Sequence, residues 1–579
     1  MSPAPAGRLH RAVGIETEYG ITSAHLAPGR DGAPLSVEEA VREVFRDVSS
    51  PRSGTHRFTA AGARLYIDVG MHPEYAGPEC VWTTDVVAQD LAGDAVLASM
   101  TRTANARLES RGARIHLLKS NTDAWGATFG CHENYQVRRD AALPMGGLVG
   151  LLAARQILAG AGALPIDRGG RADADGGNGT AGPLGASGAG GADGADGADH
   201  PLGPMRYSAR ADHVHGATSA DPTRERAFVN TRDEPHADAS RWRRLHVITA
   251  DSSTLAVTGL LRTGSMAALL SLVENRPERA RALAERFAFA DPVGALHAFS
   301  HDPRLQVRCE LAAGGTAGAL EVQRAFLDEI GAAAHQAADG GAEALDEETA
   351  EILALWGEAL DALEDDPLKA AHLVEWCAKL AVLERLRTRY GCGWDDARIR
   401  AADLQLGVVD PASSLTAALE RAGSVRRVVD DAAVSAAVER APADTRAGGR
   451  AVFLRAFPDR VWAASWTSLV MDIGATDLLR VTLPDPAHPT AAEVERVLER
   501  SAGSANGDEG ARLVAALEAL GIDIPDEPRT YAWDEGFYAG SGEGPSAPQE
   551  PPARVPAGDD DAGHEARRTG STAGSTRRQ

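Results

Sequence analysis

Lysine is almost absent from this chain of 579 residues. Three lysines, Lys119, Lys369 and Lys379, stand beside 56 arginines. The formal net charge is −23, so the composition does not provide the broad basic surface that non-specific binding to nucleic acid or to an anionic membrane requires. We therefore expect no nucleic acid and no membrane among its partners, although a local basic groove is compatible with this balance.

Cysteine is also scarce, with five residues and no pair at CxxC spacing. This pattern indicates neither a disulfide framework nor a zinc ribbon. The first residues lack the apolar core of a secretory signal, and the longest apolar stretch, residues 146–164, is interrupted by Arg155 and Gln156. That stretch is too short and too polar to span a bilayer. We expect a soluble protein of a reducing compartment, the cytoplasm.

Three common catalytic motifs are missing as well. There is no Walker A sequence, no GxGxxG before a predicted helix and no GxSxG. The P-loop, Rossmann and hydrolase-elbow interpretations therefore lose their main support.

Two segments have the composition of unpacked chain. Residues 165–204 contain a Gly-, Ala- and Asp-rich repeat, and residues 541–579 hold almost no large apolar side chain. Neither segment can bury enough surface to offset the entropy of ordering. We predict a flexible surface insertion at 165–204 and a disordered tail at 541–579.

The remaining segments separate into strand-like and helical runs. Residues 316–390 are predicted to be helical, because Ile352, Leu355, Trp356 and Ala359 recur at helical spacing. Strand-like runs elsewhere are AVGIETEYG, GARLYIDVG, ARIHLLK, RLHVITA, AVFLRAF and SWTSLVMDI, and helical runs near the C-terminus are AAEVERVLER and GARLVAALEALG. This grouping predicts an α+β fold with an antiparallel sheet.

Polar side chains alternate along two of the predicted strands. Because successive side chains of a strand point to opposite faces, each strand has one apolar and one polar face. The polar positions are Glu16 and Glu18 on the first strand and Arg64, Tyr66 and Asp68 on the second, with Glu74 shortly downstream. If the strands share a sheet, one face holds four carboxylates, an arginine and a phenol.

Such a face has two interpretations. Crowded carboxylates repel one another and persist best around a cation, and oxygen ligands at this density suit Mg²⁺ or Mn²⁺. An arginine beside a metal then suggests phosphate. The alternative is a solvated sheet face of an acidic protein.

Two further clusters favour a functional interpretation. Cys131 to Tyr135 read CHENY, and residues 230–244 combine acidic groups and His236 with four arginines. Buried pairing of so many charges is costly unless it serves a function. A surface salt-bridge network with a turn at Pro235 is the alternative for the second cluster.

These segments together resemble the family of Pup ligases and depupylases, which is related to glutamine synthetase and other carboxylate–amine ligases. The matching stretches are GIETEYG, GARLYIDVGMHPEYAGPEC, FGCHENY and NTRDEPHADASRWRRLHVI. The resemblance implies a glutamine-synthetase-like catalytic domain over residues 10–430, in which the antiparallel sheet forms the active-site cradle. It also implies a small α/β domain over residues 445–530 that contributes to the nucleotide site.

The resemblance further implies an activity. Ligases of this family use ATP and Mg²⁺ to phosphorylate the side-chain carboxylate of the C-terminal glutamate of Pup, a small acidic disordered modifier. A lysine ε-amine of a target protein then displaces phosphate, and the conjugate is marked for a bacterial proteasome. The implied site residues are Asp68 as catalytic base, Arg64, Gly77 and Trp466 as ATP contacts, and Glu16, Glu18, Tyr66 and Glu74 as Mg²⁺ ligands.

Three features favour the ligase over the depupylase. The chain opens with GIETE, Cys131 precedes the HENY motif, and the link from Ile21 to Ala61 lacks the long loop of depupylases. The depupylase remains the alternative, as does a catalytically weakened Pup-binding regulator. The latter interpretation depends on departures from the family pattern at Gly77, Ser253, Ala256 and the pair Gly407-Val408.

Overall fold

The computed structural model describes residues 10–30, 32–48, 56–123, 128–165, 202–221, 225–339, 345–473, 478–501 and 509–522. These residues belong to one compact unit, residues 1–532. The predicted insertion at 165–204 lies outside them except for residues 165 and 202–204, and the predicted tail at 541–579 lies outside entirely. The division into domains at 10–430 and 445–530 stays a prediction.

Strands form one large sheet and three small ones. They are β1 (Val13–Glu18), β2 (Gly20–His25), β3 (Arg57–Phe58), β4 (Arg64–Asp68), β5 (His72–Ala76), β6 (Ala113–Leu118), β7 (Cys131–Arg138), β8 (Gly216–Ser219), β9 (Ala227–Asn230), β10 (Trp242–Val247), β11 (Arg308–Glu310), β12 (Thr316–Gly318), β13 (Val461–Ala464), β14 (Ser468–Asp472) and β15 (Leu478–Thr482). The large sheet has the order β3-β4-β5-β1-β7-β10-β9-β8. Its strands pair antiparallel except β8 with β9.

Helices account for most of the middle of the chain. They are α1 (Val37–Val44), α2 (Thr83–Leu108), α3 (Met145–Ala159), α4 (Ala256–Asn275), α5 (Pro277–Arg286), α6 (Pro292–Ser300), α7 (Ala319–Asp339), α8 (Glu347–Asp365), α9 (Glu375–Tyr390), α10 (Ala397–Leu406), α11 (Leu415–Arg421), α12 (Asp431–Glu439), α13 (Arg446–Ala456), α14 (Ala491–Ser501) and α15 (Glu509–Ala519). Short 3₁₀ turns cover Glu109–Arg111, Ala211–His213 and Pro367–His372. The mixture of an antiparallel sheet with packed helices confirms the α+β class.

The large sheet has one face packed against helices, which we call the rear face, and an opposite front face. Ile15, Tyr135, Leu245 and Val247 are buried on the rear face, where α2 packs on β1 and α4 on β7. Their alternation with polar residues is the pattern expected of a sheet with one covered face. The polar positions of the same strands therefore share the front face.

Helix α4 has a strongly apolar composition. Within the described part of the chain, this is the helix long and apolar enough to cross a membrane, with a mean hydropathy of 1.5. However, 94% of its apolar window is buried inside the protein. It packs against α2, α3, α7 and α8, so the protein core accounts for its apolar composition.

The C-terminal region corrects one strand prediction. AVFLRAF is part of helix α13, whose first turn is capped by the Thr445 hydroxyl. Phe453 and Phe457 follow each other at helical spacing and bury against the sheet of β13, β14 and β15. A short run whose one polar residue is Arg455 carries no clear alternation, so periodicity alone cannot separate strand from helix there. The strand predicted within SWTSLVMDI and both C-terminal helices are confirmed.

Candidate functional site

Strand register brings the predicted polar positions together on the front face. β5 lies between β4 and β1, with Glu74 opposite both Tyr66 and Glu18. Ala76 is in turn opposite both Arg64 and Glu16. Side chains directly opposite each other in an antiparallel pair are close neighbours. The face of four carboxylates, an arginine and a phenol that alternation predicts is therefore present.

Three of these carboxylates converge on one point. One oxygen each from Glu18, Asp68 and Glu74 lies within 4.8 Å of the others, and the Tyr66 hydroxyl donates a hydrogen bond to Glu74. Burial, followed by the negative charges of Glu16 and Glu18, raises the pKa of Glu74 well above its ordinary value. Burial and Glu18 also raise the pKa of Asp68. Because oxygen donors at this spacing suit a hard divalent cation, these residues fit Mg²⁺.

A second group lies beside the first. Glu16, His132 and His246 each offer one ligand atom within 4.8 Å of the others, and His132 Nδ1 lies 3.1 Å from Glu16 Oε2. Both ring nitrogens of His246 are buried without a hydrogen-bond partner among the described residues. An unpartnered buried imidazole is a ready metal ligand.

We refer to the carboxylates Glu16, Glu18, Asp68 and Glu74 as the front cluster.

Electrostatics favour the ligating protonation states of two members of the second group, Glu16 and His246. Burial raises the pKa of Glu16, but hydrogen bonding and charge from His132 outweigh it and lower that pKa. For His246, burial and the positive charge of Arg244 lower the pKa well below its ordinary value. The carboxylate is therefore ionised and the imidazole neutral, as metal ligation requires.

An open cleft of about 580 Å³, counting the solvent space at its mouth, adjoins Glu16 and is lined by two of the predicted ATP contacts. Gly77 lines it through a backbone held by the bond from its N–H to the Ile15 carbonyl, at 2.8 Å. Trp466 lines it from the loop between β13 and β14, with its ring edge-on to Phe58 at 5.1 Å. Since an aromatic side chain beside a mainly apolar lining suits a planar ligand, the cleft fits a nucleotide base.

A buried ion-pair network joins the large sheet to α13 beside this cleft. Glu79 accepts from Arg446 Nε and from Arg450 Nη2, both at 2.7 Å. Burial raises the pKa of Glu79, but the two guanidiniums, Arg450 first, outweigh it and lower the value to about 2. Arg450 also donates to the Trp466 carbonyl at 2.9 Å. The network therefore positions Trp466 against the cleft.

The arginines of the sequence prediction take different positions. Arg64 stacks its guanidinium over the Tyr66 ring, 4.4 Å from the centroid, on the same face as the front cluster but outside the lining of the cleft. Arg244 lines the cleft and donates to Asn134 at 3.1 Å and to Glu234 at 3.2 Å. Arg241 instead forms an exposed pair with Asp485. The alternative of a surface network thus holds for Arg241, whereas Arg244 belongs to the site.

Behind the sheet lies a second set of charges, which we call the rear cluster: Asp90, Asp94 and Lys119. Lys119 Nζ is 3.1 Å from Asp90 and 3.0 Å from Asp94. Thr17, on the rear face of β1, donates to Asp90 at 2.8 Å, and Tyr19, directly after β1, donates to Asp94 at 2.7 Å. β1 thereby connects the two clusters through consecutive residues.

Three departures from the family pattern lie around the rear cluster. Lys119 Nζ donates to the Ser253 carbonyl at 3.2 Å, and the Lys119 N–H donates to Gly407 at 2.8 Å. Ala256 is buried at the start of α4, in a small pocket shared with Asp90 and Ser253. These replacements therefore change packing behind the sheet, while Gly77 is the departure that lines the cleft.

Sequence reasoning did not assign roles to His132, Asn134 and His246. A signal was present, because His132 and Asn134 alternate on β7, and Arg244 and His246 alternate on β10. Their position opposite Glu16 depends on the strand order, which places β7 next to β1 and β10 next to β7. The roles implied for Glu16, Glu18, Arg64, Tyr66, Asp68, Glu74, Gly77 and Trp466 stay predictions.

Comparison with known structures finds the same architecture. A ligase called PafA, crystallised in complex with Pup, superposes with a TM-score of 0.70 at 27% identity, covering 93% of this chain and 99% of that one. PafA in complex with ADP gives a TM-score of 0.64 at 29% identity, covering 82% and 95%.

Sequence comparison gives the same relatives. The chain is 38% identical to the Pup–protein ligase of Micrococcus luteus, over 86% of this chain and 99% of the relative. It is 35% identical to the Pup deamidase/depupylase of Mycobacterium tuberculosis, over 76% and 79%. The profile of the family described as Pup-ligase protein matches residues 11–470. With this match over most of its length, the chain belongs to the Pup-ligase family.

Proposed function

We propose that this chain is an ATP-dependent ligase that joins the side-chain carboxylate of the C-terminal glutamate of Pup to lysine ε-amines of target proteins. The observation that carries the proposal is the front cluster lying next to a cleft of nucleotide size. Phosphoryl transfer from ATP to a carboxylate brings two anions together, so it needs a cationic site beside the nucleotide.

The residues of the site suit two separate tasks, binding the metal ion and binding the nucleotide. Glu18, Glu74 and Tyr66 on one side, and Glu16, His132 and His246 on the other, would hold Mg²⁺. When bound, Mg²⁺ would neutralise charge between the ATP phosphates and the glutamate of Pup. Gly77 and Trp466 would hold the nucleotide base, and Arg64 would contact phosphate. ADP bound to a related PafA supports a nucleotide in this cleft.

Two chemical steps follow from that arrangement. The Pup carboxylate attacks the terminal phosphate of ATP, which gives ADP and an acyl phosphate. A lysine ε-amine then attacks the acyl carbon, forming the C–N bond as the C–O bond to phosphate breaks. Asp68, at the end of β4, would accept the proton that the incoming ammonium must lose before it can attack.

The ligase interpretation is favoured over the depupylase. Depupylases carry a long loop in the region that this chain spans from β2, which ends at His25, to Ala61 just before β4. Here α1 and β3 lie within that link.

The cellular setting is part of the proposal. All five cysteines are free, as expected in a reducing compartment, and we place the reaction in the cytoplasm. Targets carrying Pup would be delivered to a bacterial proteasome.

The test is reconstitution. The full chain is incubated with ATP, Mg²⁺, Pup ending in glutamate and a lysine-bearing target. We expect a covalent adduct and release of ADP and phosphate, both lost in Asp68→Asn. Cleavage of a preformed adduct without any formation would establish the depupylase instead, and binding of Pup without either reaction would establish the regulator.

A further inference from the structure

The two residues predicted to hold the nucleotide base belong to different sheets. Gly77 directly follows β5 of the large sheet, and Trp466 lies in the loop between β13 and β14 of the three-stranded sheet. A base held by both needs them at a fixed separation, because a misplacement of about 1 Å is enough to weaken a site strongly. Some part of the chain must therefore hold the two sheets together on this side of the cleft.

One buried guanidinium, that of Arg450 on α13, bridges the two sheets. On the side of the large sheet it donates to the Gly62 carbonyl, just before β4, at 3.0 Å, and to the Glu79 carboxylate, two residues after Gly77, at 2.7 Å. On the other side it donates to the Trp466 carbonyl at 2.9 Å. The side chain has no exposed surface. Because a guanidinium presents its donors in a rigid planar fork, it fixes the separation of these acceptors.

The same guanidinium also lies against two aromatic rings at the edge of the cleft. Its central carbon is 5.4 Å from the centroid of the Trp466 ring and 5.3 Å from that of the Phe58 ring, and the two rings contact each other edge-on. A guanidinium within about 6 Å of a ring centroid is attracted to the ring. Arg450 therefore holds both the backbone and the ring of Trp466.

Arg446, one helical turn earlier on α13, has different contacts. It donates to the Glu79 carboxylate at 2.7 Å and to the Leu483 carbonyl at 2.8 Å. Glu79 therefore keeps one buried counter-charge when the fork of Arg450 is removed. This second pair makes it possible to change Arg450 without leaving a buried carboxylate unpaired.

We propose that Arg450 is a positioning residue that sets the affinity of the cleft for the nucleotide base by holding Trp466 against the large sheet; this inference rests on the proposed function. Arg450 is not among the residues that line the cleft, so it acts through Trp466. The base takes no part in phosphoryl transfer, and its contacts are the same before and during the reaction. Loss of such uniform binding raises KM and leaves kcat unchanged.

Arg450→Lys tests this role, with Arg455→Lys as the matched control. Lysine keeps a positive charge beside Glu79, but one ammonium on a flexible stem cannot hold the acceptors as the fork does. Arg455 lies on the same helix, is exposed and donates to the Ala60 carbonyl at 3.4 Å. We expect the KM for ATP to rise by ~10-fold or more in Arg450→Lys, with kcat and the KM for Pup unchanged, and Arg455→Lys to match wild type.

A double-mutant cycle on ADP binding separates positioning from general damage to the fold. Calorimetry measures the Kd for ADP of Arg450→Lys, of Trp466→Leu and of the double variant. Because Arg450 acts through the indole ring, its substitution should weaken binding in wild type and add nothing once Trp466 is replaced. Phe58→Leu removes the ring packed against Trp466 without touching the buried ion pairs, and it should raise the KM for ATP in the same direction.

Several outcomes would overturn the proposal: unchanged ADP affinity in Arg450→Lys, equal weakening in both backgrounds of the cycle, a fall in kcat at unchanged KM, or a Phe58→Leu variant identical to wild type. Should Arg450→Lys fail to fold, as judged by thermal unfolding, Phe58→Leu decides alone. Because ADP binding needs no turnover, a wild type that binds ADP but forms no adduct with Pup would refute the ligase function and leave the cycle measurable. A wild type that binds no ADP would refute the nucleotide site and this inference with it.

Discussion

Strand β1 separates two sets of buried carboxylates that are stabilised in different ways. On the rear face, Lys119 lies between Asp90 and Asp94, and Glu133 of β7 pairs with Arg155 at 3.0 Å. On the front face, the four carboxylates of the front cluster face one another, and the side chains that hydrogen-bond to Glu18 and Glu16 are imidazoles. Each rear carboxylate thus contacts a permanently charged cation, whereas the front carboxylates have no such ion pair among the described residues.

This difference separates structure from function. A buried carboxylate with a fixed cation contributes to a defined native structure and resists change. A buried carboxylate without a fixed cation either has a raised pKa or binds a cation from solution. Burial, then Glu16 and Glu18, raise the pKa of Glu74; in the rear cluster burial also raises the pKa of Asp94, to about 6, despite its contact with Lys119. The front cluster therefore favours binding of a divalent cation, and repulsion among its carboxylates lowers the stability of the fold when no cation is bound.

The largest effect is expected from neutralising a front carboxylate. Asp68→Asn keeps the shape of the side chain but cannot accept a proton, so we expect the conjugation rate to fall by ~10²–10⁴-fold. The unfolding temperature should stay the same or rise, because repulsion between Asp68 and Glu18 is relieved. Single-turnover kinetics and thermal unfolding of the same preparation measure both.

The same substitution in the rear cluster is the control. Asp90→Asn leaves Lys119 with one carboxylate and weakens the bond from Thr17, so the unfolding temperature should fall while conjugation persists at a temperature where the protein is folded. If Asp90→Asn abolished conjugation without lowering stability, the separation between the two faces would be wrong.

The next effect removes the fixed cation itself. Lys119→Met leaves Asp90 and Asp94 buried without a counter-charge, which we expect to destabilise the fold by ~3–5 kcal/mol. Denaturant unfolding measures the change. Lys369→Met removes an exposed ammonium and should change stability by less than ~0.5 kcal/mol. Equal stability of the two variants would show that the rear cluster does not depend on its lysine.

The two faces also differ in how far sequence predicts them. Glu16, Glu18, Arg64 and Asp68 follow from alternation, because a strand places every second side chain on one face. Their neighbours across the sheet do not, because His132 comes next to Glu16 only through the order of the strands. Alternation along each strand therefore predicts which side chains share the front face, whereas the neighbours across the sheet follow only from the order of the strands.

The rear cluster leaves no comparable signal. Asp90 and Asp94 are one helical turn apart on α2, and Lys119 follows β6. No local sequence pattern indicates that α2 and the end of β6 lie next to each other. The same holds for Glu79 and Arg450, which pair across most of the chain, whereas the α+β class and the buried stripe of α8 follow from periodicity.

A smaller effect is expected from binding of Mg²⁺ to the front cluster. Mg²⁺ at about a hundred times its dissociation constant should stabilise the wild-type fold by ~2.7 kcal/mol, because it binds the native state alone. Glu18→Gln removes one ligand and should reduce this gain, whereas Asp90→Asn should retain it. Thermal unfolding with and without Mg²⁺ measures the gain, and an equal gain in Glu18→Gln would place the ion elsewhere.

The smallest effect concerns a third acidic group, which tests whether an unbalanced carboxylate keeps its proton. Asp85 lies in the first turn of α2, where burial, then Asp444 and Glu348, raise its pKa from 3.8 to about 6. The folded state therefore holds a proton that the unfolded state has released between pH 4 and pH 6, so this group's contribution to stability is lost as pH rises through that window.

Asp85→Asn should remove that pH dependence. The variant should match wild type near pH 4 and exceed its stability near pH 7 by ~1 kcal/mol or less, because Asp85 is only half-buried and water screens its charge. Denaturant unfolding at both pH values, with Asp140→Asn as an exposed control, measures the difference. Equal stability of the variant and wild type at pH 7 would mean that ionising Asp85 in the folded protein has no free-energy cost. Repulsion among carboxylates without counter-charges would then not explain the electrostatics of the front cluster either.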